Sequence, residues 1–307
     1  MRYPSRGRLA AALAVLVLPL AACSDSSNAE MLEPRTFGDL PAGIDYVAMG
    51  DSYSAGPLVT TIRSDPSGCV RSTDNYPAFV AGWLSVDTYT DVTCSGADTR
   101  DLTRRQTTAD GKRVAPQLDA LSAETDLVTL GIGGNDFSIF STLLSCIDGC
   151  SPRLEQRLAR DAGRVEQRVA GAVQAVAERA PEAEVYVVGY PHVLPTDTTC
   201  PAVPLPPDQL AAAAGIAADL NASLKAGAEA AGASYVDVDS ISEGHDVCAG
   251  DDAWINGPEL KLGIAAPFHP MLAGMRGVAA EVFKAVSGDD APASERATPP
   301  RDAIVRN

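Results

Sequence analysis

The chain has 307 residues, of which 46% are hydrophobic, and a formal net charge of -16. That apolar share is ample for a buried core and excludes global disorder. The acidic balance, with no basic patch interleaved with aromatics, excludes nucleic acid as a partner.

The opening stretch "MRYPSRGRLAAALAVLVLPLAAC" carries Arg2, Arg6 and Arg8, then an apolar run from Leu9 to Ala22. That run of 14 residues is too short to cross a bilayer, which takes about 20, but suits a signal peptide over 1–22. "LAAC" resembles the lipobox at which bacterial prolipoproteins are lipidated, so Cys23 is expected to carry a lipid that anchors the protein to a membrane. Ordinary secretion is the alternative. Cysteine arithmetic favours the lipobox, because seven cysteines leave one over and removing Cys23 leaves six that can pair. Residues 23–40 are polar and aperiodic, as expected of a tether. A single domain is expected over 41–287, and the tail 288–307, poor in apolar residues, is expected to be disordered.

Within the domain, Ile44–Met49 is a short apolar run that reads as a strand buried on both faces. "NYPAFVAGWL" reads as a helix with Pro77 in its first turn. A second strand follows at about 86–93, a helix at 114–122, and a third strand in "TDLVTLG". In the stretch 152–180, Leu154, Leu158, Val165, Val169, Val173 and Val176 put one apolar face on a single long helix. "AEVYVVG", an alanine-rich helix over 208–231, "ASYVDV" and a last helix at about 271–286 complete the series. Alternating strands and helices predict an α/β fold: a three-layer α/β/α sandwich with a mainly parallel five-stranded sheet, flavodoxin-like in type. Ligands bind beyond the carboxyl ends of the strands in such sheets.

The polar oddities all fall at that edge. Gly50-Asp51-Ser52 ends the first strand, Gly96 follows the second, Asn135 the third and His269 the fifth. Taken alone, "GDS" reads either as a turn and helix cap or as a serine nucleophile at the sheet edge. Taken together, "GDSYSAG", "CSGADT", "GIGGNDF" and "PFHPMLAG" resemble the SGNH, or GDSL, hydrolase family, in its secreted actinobacterial esterase and lipase branch. The resemblance spans about residues 44–286. It implies a serine esterase or lipase acting on carboxylic, lipid-like acyl esters through an acyl-enzyme. Ser52 would be the nucleophile and His269 the general base. The amides of Ser52 and Gly96 and the Asn135 side chain would form the oxyanion hole. Phe137, Ile139, Phe140 and Leu143, just after Asn135, would suit an acyl chain or simply the buried face of a helix. Carbohydrate acetyl ester hydrolysis and a non-catalytic surface-binding role are the alternatives.

Most family members carry Asp three residues before the histidine; here that position is Ala266. The resemblance therefore implies a dyad, with the Ala266 main-chain carbonyl orienting His269; an Asp from elsewhere, Asp239, Asp251 or Asp252, is the rival. Asp51 and Asp136 are expected to brace loops, His192 to sit on an exposed loop, with a place lining the acyl pocket as its alternative, and His245 to stabilise its own loop rather than act as a second base. The branch also implies disulfides Cys69–Cys94, Cys146–Cys150 and Cys200–Cys248. No cofactor is implied, the histidines lack metal-ligand spacing, and a monomer is expected.

Overall fold

The computed structural model describes residues 43–146 and 149–300, together with Met1. The expected signal peptide over 1–22, Cys23 and the tether 23–40 lie outside the described residues, Met1 apart. All described elements belong to the unit Pro34–Asn307.

Five strands, β1 (Asp45–Gly50), β2 (Thr88–Asp91), β3 (Leu127–Gly131), β4 (Glu184–Val188) and β5 (Ser234–Val236), form one sheet in the order β2-β1-β3-β4-β5. Every neighbouring pair is parallel. The period-two alternation of β1 divides its side chains between two cores. Tyr46 and Ala48 face α2 (Tyr76–Trp83) and α8 (Leu272–Ser287), where Phe79, Val80, Met275 and Val282 cover them. Val47 and Met49 face α4 (Pro152–Gly163), α5 (Val165–Arg179) and α6 (Pro207–Ala230), where Leu158, Val169, Val173 and Leu224 complete the opposite layer. Burying a Val or Leu of this kind contributes roughly 1.5–3 kcal/mol. The order of connection reverses at β1, since β2 lies on one side of it and β3 on the other. That makes the crevice beyond β1 and β3 the switch point where a ligand is received.

Three expectations are corrected. The apolar stripe over 152–180 belongs to two helices, broken at Arg164 (ψ -12°), whose N–H donates to the Asp161 carbonyl at 3.1 Å. Gly163, a poor helix former, precedes the break, and the stripe runs across it because Leu158, Ala162, Val165 and Val169 all stay buried. The segment 114–122 contains only a single 3-10 turn, Gln117–Ala120. Pro116 before it is extended, and Gln117 is drawn to the sheet, where its side-chain amide exchanges two hydrogen bonds with Gly50 (2.8 and 2.9 Å). The tail expected to be disordered is, over its described part, laid against the domain. Arg296 pairs with Asp74 (2.9 Å), and the Ala297 N–H donates to the same carboxylate (3.0 Å). Asp74 is buried, and a buried carboxylate demands donors.

The disulfides Cys69–Cys94, Cys146–Cys150 and Cys200–Cys248 are formed. The first ties the loop before α2 to the exit of β2, and the third joins the loop after β4 to the loop after β5.

Candidate active site

β1 ends in a glycine because nothing larger fits. Gly50 has φ +150°, and a Cβ there would lie 2.5 Å from the Gly131 carbonyl and 2.4 Å from Ser54 Oγ. The chain then enters a single helical turn, α1 (Ser52–Ala55), capped by Asp51, whose carboxylate accepts the Tyr53 N–H at 2.9 Å. Ser52 is the first residue of that turn, so its N–H has no helical acceptor and meets none elsewhere among the described residues.

His269 arrives from the loop before α8. Its Nε2 lies 2.8 Å from Ser52 Oγ and its Nδ1 lies 2.7 Å from the Pro267 carbonyl. A carbonyl only accepts, so Nδ1 carries the proton and Nε2 is the acceptor facing the serine hydroxyl. Burial lowers the pKa of the imidazole, and the bond to Pro267 only partly opposes this. The ring is therefore neutral at pH 7, the form that accepts a proton.

The carbonyl that orients His269 is thus that of Pro267 and not that of Ala266. The four residues from Ala266 to His269 form a tight turn in which the His269 N–H donates to the Ala266 carbonyl (3.2 Å). Asn256 Nδ2 occupies the same oxygen (3.1 Å). Phe268, third in the turn, has φ +57°, the requirement of a type II turn. Such a turn draws the Ala266 carbonyl inward and leaves that of Pro267 outside, where the imidazole meets it. No carboxylate bonds to His269 among the described residues. Asp239 is engaged by His192 Nδ1 (3.0 Å), while Asp251 and Asp252 are exposed.

Gly96, exposed on the loop after β2, has φ +80°. A Cβ there would touch only Gln106, at 3.8 Å, so backbone conformation rather than crowding requires glycine. Its N–H has no protein acceptor among the described residues. Asn135 Nδ2 donates one hydrogen to the Ala97 carbonyl (2.9 Å), which fixes the amide beside the cleft and leaves its second hydrogen uncommitted. The neighbouring Asp136 accepts from Thr99 N and Oγ1 (2.9 and 2.6 Å), joining the loops after β2 and β3. Burial raises its pKa, with the Thr99 bonds opposing.

Sequence reasoning missed Tyr190. Its hydroxyl donates to Asp51 (2.6 Å) and accepts the Gly134 N–H (2.7 Å), so one phenol braces both the serine turn and the loop of Asn135. The only signal for it was its place in "GYP" directly after the fourth strand. Tyr53 was missed too; its hydroxyl donates to the Phe268 carbonyl (2.7 Å). His192, expected on an exposed loop, is half-buried, and Asp239 raises its pKa. His245 stacks on Trp254 (4.6 Å) and bonds the Asp252 carbonyl (2.6 Å), a loop-stabilising arrangement.

Beside Ser52 and His269 opens a cavity of about 180 Å³, walled by Phe140, Leu143, Leu194, Leu205 and Leu220. An apolar hollow of about 150 Å³ takes a molecule the size of benzene, so this one has room for a short alkyl segment. Of the apolar residues after Asn135, Phe140 and Leu143 line it. Ile139 is core, and Phe137 lies beneath the Arg164 guanidinium at 4.0 Å. Among the described residues no three His, Cys, Asp or Glu gather as a metal site would require. The arrangement can activate a serine hydroxyl beside an apolar slot and present unspent N–H donors to a developing anion.

The chain matches a family model for the GDSL-like Lipase/Acylhydrolase family over residues 48–276. It is 39% identical over 257 residues to Lipase 2 of Streptomyces coelicolor, covering 77% of this chain and 83% of that protein. Among solved structures it is similar to phospholipase A1 from Streptomyces albidoflavus NA297, with a TM-score of 0.69, 30% identity and coverage of 80% and 100% of the two chains. It is also similar to the extracellular lipase of Streptomyces rimosus, with a TM-score of 0.68, 30% identity and coverage of 79% and 100%.

Proposed function

Because the chain belongs to the GDSL-like lipase/acylhydrolase family and is a carboxylic ester hydrolase, we propose that it works through a Ser52–His269 dyad on esters with lipid-like acyl groups. The observation that carries this reading is the 2.8 Å approach of Ser52 Oγ to a His269 Nε2 held free of protons by the bond on Nδ1. Ser52 Oγ attacks the ester carbonyl carbon as its proton passes to Nε2. The oxyanion is received by the Ser52 and Gly96 amides and the uncommitted hydrogen of Asn135 Nδ2. Collapse expels the alcohol, which takes the proton from Nε2, and leaves the acyl group on Ser52. Water, deprotonated by the same nitrogen, then releases the acid. The apolar cavity supports an alkyl acyl group; the acetyl group of a sugar ester would leave most of it unfilled.

The test is direct. Ser52→Ala should fold, lose nearly all hydrolysis of p-nitrophenyl esters, retaining only what the other groups supply, and resist labelling by a fluorophosphonate that modifies the parent protein. Substantial activity in the pure variant would overturn the assignment.

We further propose export as a lipid-anchored monomer. The leader and "LAAC" support it, as does the engagement of six of the seven cysteines in disulfides, which leaves Cys23. Intact mass of the membrane fraction, with Cys23→Ser beside it, checks the anchor, and light scattering of the anchor-free protein checks the monomer.

A further inference from the structure

We propose that the Tyr53 hydroxyl is a positioning group for His269, performing through the Phe268 carbonyl the orienting task that a carboxylate performs in a Ser-His-Asp triad. This rests on the reading of Ser52 and His269 as nucleophile and base.

The imidazole here has only a main-chain carbonyl on Nδ1, so its orientation is as good as the turn that supplies that carbonyl. The turn depends on Phe268 holding φ +57°, a conformation disfavoured for any residue with a Cβ. Phe268 is held from both sides. Its N–H reaches the Asn256 and Gly257 carbonyls (both 3.2 Å), and its C=O accepts the Tyr53 hydroxyl (2.7 Å). Released from that hydroxyl, the Phe268–His269 peptide keeps only the longer bond from the His269 N–H to the Ala266 carbonyl (3.2 Å). The strained Phe268 torsions can then relax and carry the imidazole away from the Pro267 carbonyl, which stays with the anchored Phe268 N–H.

Tyr53 suits the task because it is rigid with the nucleophile. It follows Ser52 on the same helical turn, and its N–H is tied to Asp51. Its ring is wedged against Tyr190 (5.1 Å, 82°) and Phe140 (5.1 Å, 36°) and lies along the imidazole (4.8 Å, 31°). The hydroxyl thus spans 215 residues of sequence to lock the loop of the base to the turn of the nucleophile. Burial, and then the Asp51 charge, push the phenol pKa far up, so it remains a donor at every working pH.

Tyr53 also lines the cavity, so the experiment must separate positioning from substrate contact. Tyr53→Phe keeps the ring and removes only the hydroxyl; Tyr53→Leu removes both. Steady-state kinetics on p-nitrophenyl acetate and octanoate would be measured at about pH 5–9, with the NMR signal of the His269 Nδ1 proton recorded for parent and variant. Misplacement of a reacting group by about 1 Å costs up to about 100-fold. Tyr53→Phe is therefore expected to lose about 10- to 100-fold in kcat, by the same factor on both esters, with KM within about 2-fold. The Nδ1 proton signal should broaden or move upfield, and the acid limb of the pH profile should shift to lower pH as the imidazolium loses its acceptor. Tyr53→Leu should lose more. An unchanged kcat overturns the proposal even if the melting temperature falls, and so does a loss that appears in KM or differs between the two esters. Should the Phe variant fold poorly, the NMR signal in its folded fraction still decides. Ser52→Ala and His269→Ala run alongside: if they stay active the underlying reading fails, and if they are dead while Tyr53→Phe is normal only this proposal fails.

Discussion

Replacing Asp51 by Asn removes one buried carboxyl from beneath the serine turn while keeping the cap, because Asn accepts a helix N–H as well as Asp does. Burial pushes the Asp51 pKa from 3.8 up to about 7, against the bonds from Tyr190 and Tyr53, which favour the anion. The unfolded chain releases this proton near its ordinary value, whereas the folded chain holds it to about pH 7. Between those limits the native state binds more protons, so this group's contribution to stability falls as pH rises through the window. The whole loss is about 4 kcal/mol, complete a little above pH 7. Asp51→Asn does not suffer it. The assay is urea unfolding followed by the fluorescence of Trp83 and Trp254, from about pH 4.5 to 8, with the disulfides intact. The stability of the variant minus that of the parent should climb by up to about 1.4 kcal/mol per pH unit and then level off. Subtraction cancels the titrating groups that do not interact with Asp51; the charge of Asp136, which raises the Asp51 pKa, leaves a small remainder. Parallel curves for the two proteins would refute the reasoning, and so would a difference that falls with pH.

Asn135→Ala should lower kcat by about 10²–10³-fold with little change in melting temperature, since it deletes one oxyanion donor; an unaltered kcat for a short soluble ester counts against that role. Because burial lowers the His269 pKa and the neutral imidazole is the active form, kcat/KM should reach half its plateau below pH 6.5, the ordinary histidine value; a midpoint above it contradicts the described environment. The double substitution Cys200→Ser and Cys248→Ser opens a loop whose ends are 48 residues apart and should cost about 4 kcal/mol in denaturant unfolding. Because Val203 and Leu205 on that loop wall the cavity, KM for octanoate esters should rise more than KM for acetate esters.

The layered fold was legible because its strands, buried on both faces, announce themselves as unbroken apolar runs, and because the amphipathic stripes of the helices survive even the break at Arg164. Ser52, Gly96, Asn135 and His269 were legible as an ordered set because each interrupts the local pattern at the same sheet edge. The groups that position them were not. Gln117, Tyr190 and Tyr53 act on backbone atoms 67, 56 and 215 residues away, and no local periodicity records such a partner. The acceptor on His269 was misassigned for a related reason. Which of two adjacent carbonyls faces a ring depends on the rotation of one peptide plane, and Phe268 sits in a backbone region that its own side chain disfavours. The tail misled because its composition is that of a solvated segment, and a single buried carboxylate, Asp74, was enough to hold Arg296.

Ser52 and His269 stand 217 residues apart, the serine leaving the first strand and the histidine entering only the last helix. During synthesis the serine therefore emerges long before its base, and through that interval it is an ordinary alcohol. The sheet can be complete to its fifth strand while the chain is still chemically silent toward esters. If His269 is the base, a polypeptide cut anywhere before residue 269 should stay silent. On the proposed dyad, hydrolytic competence needs both the first strand and the loop before the last helix, so a fragment lacking either should be inactive.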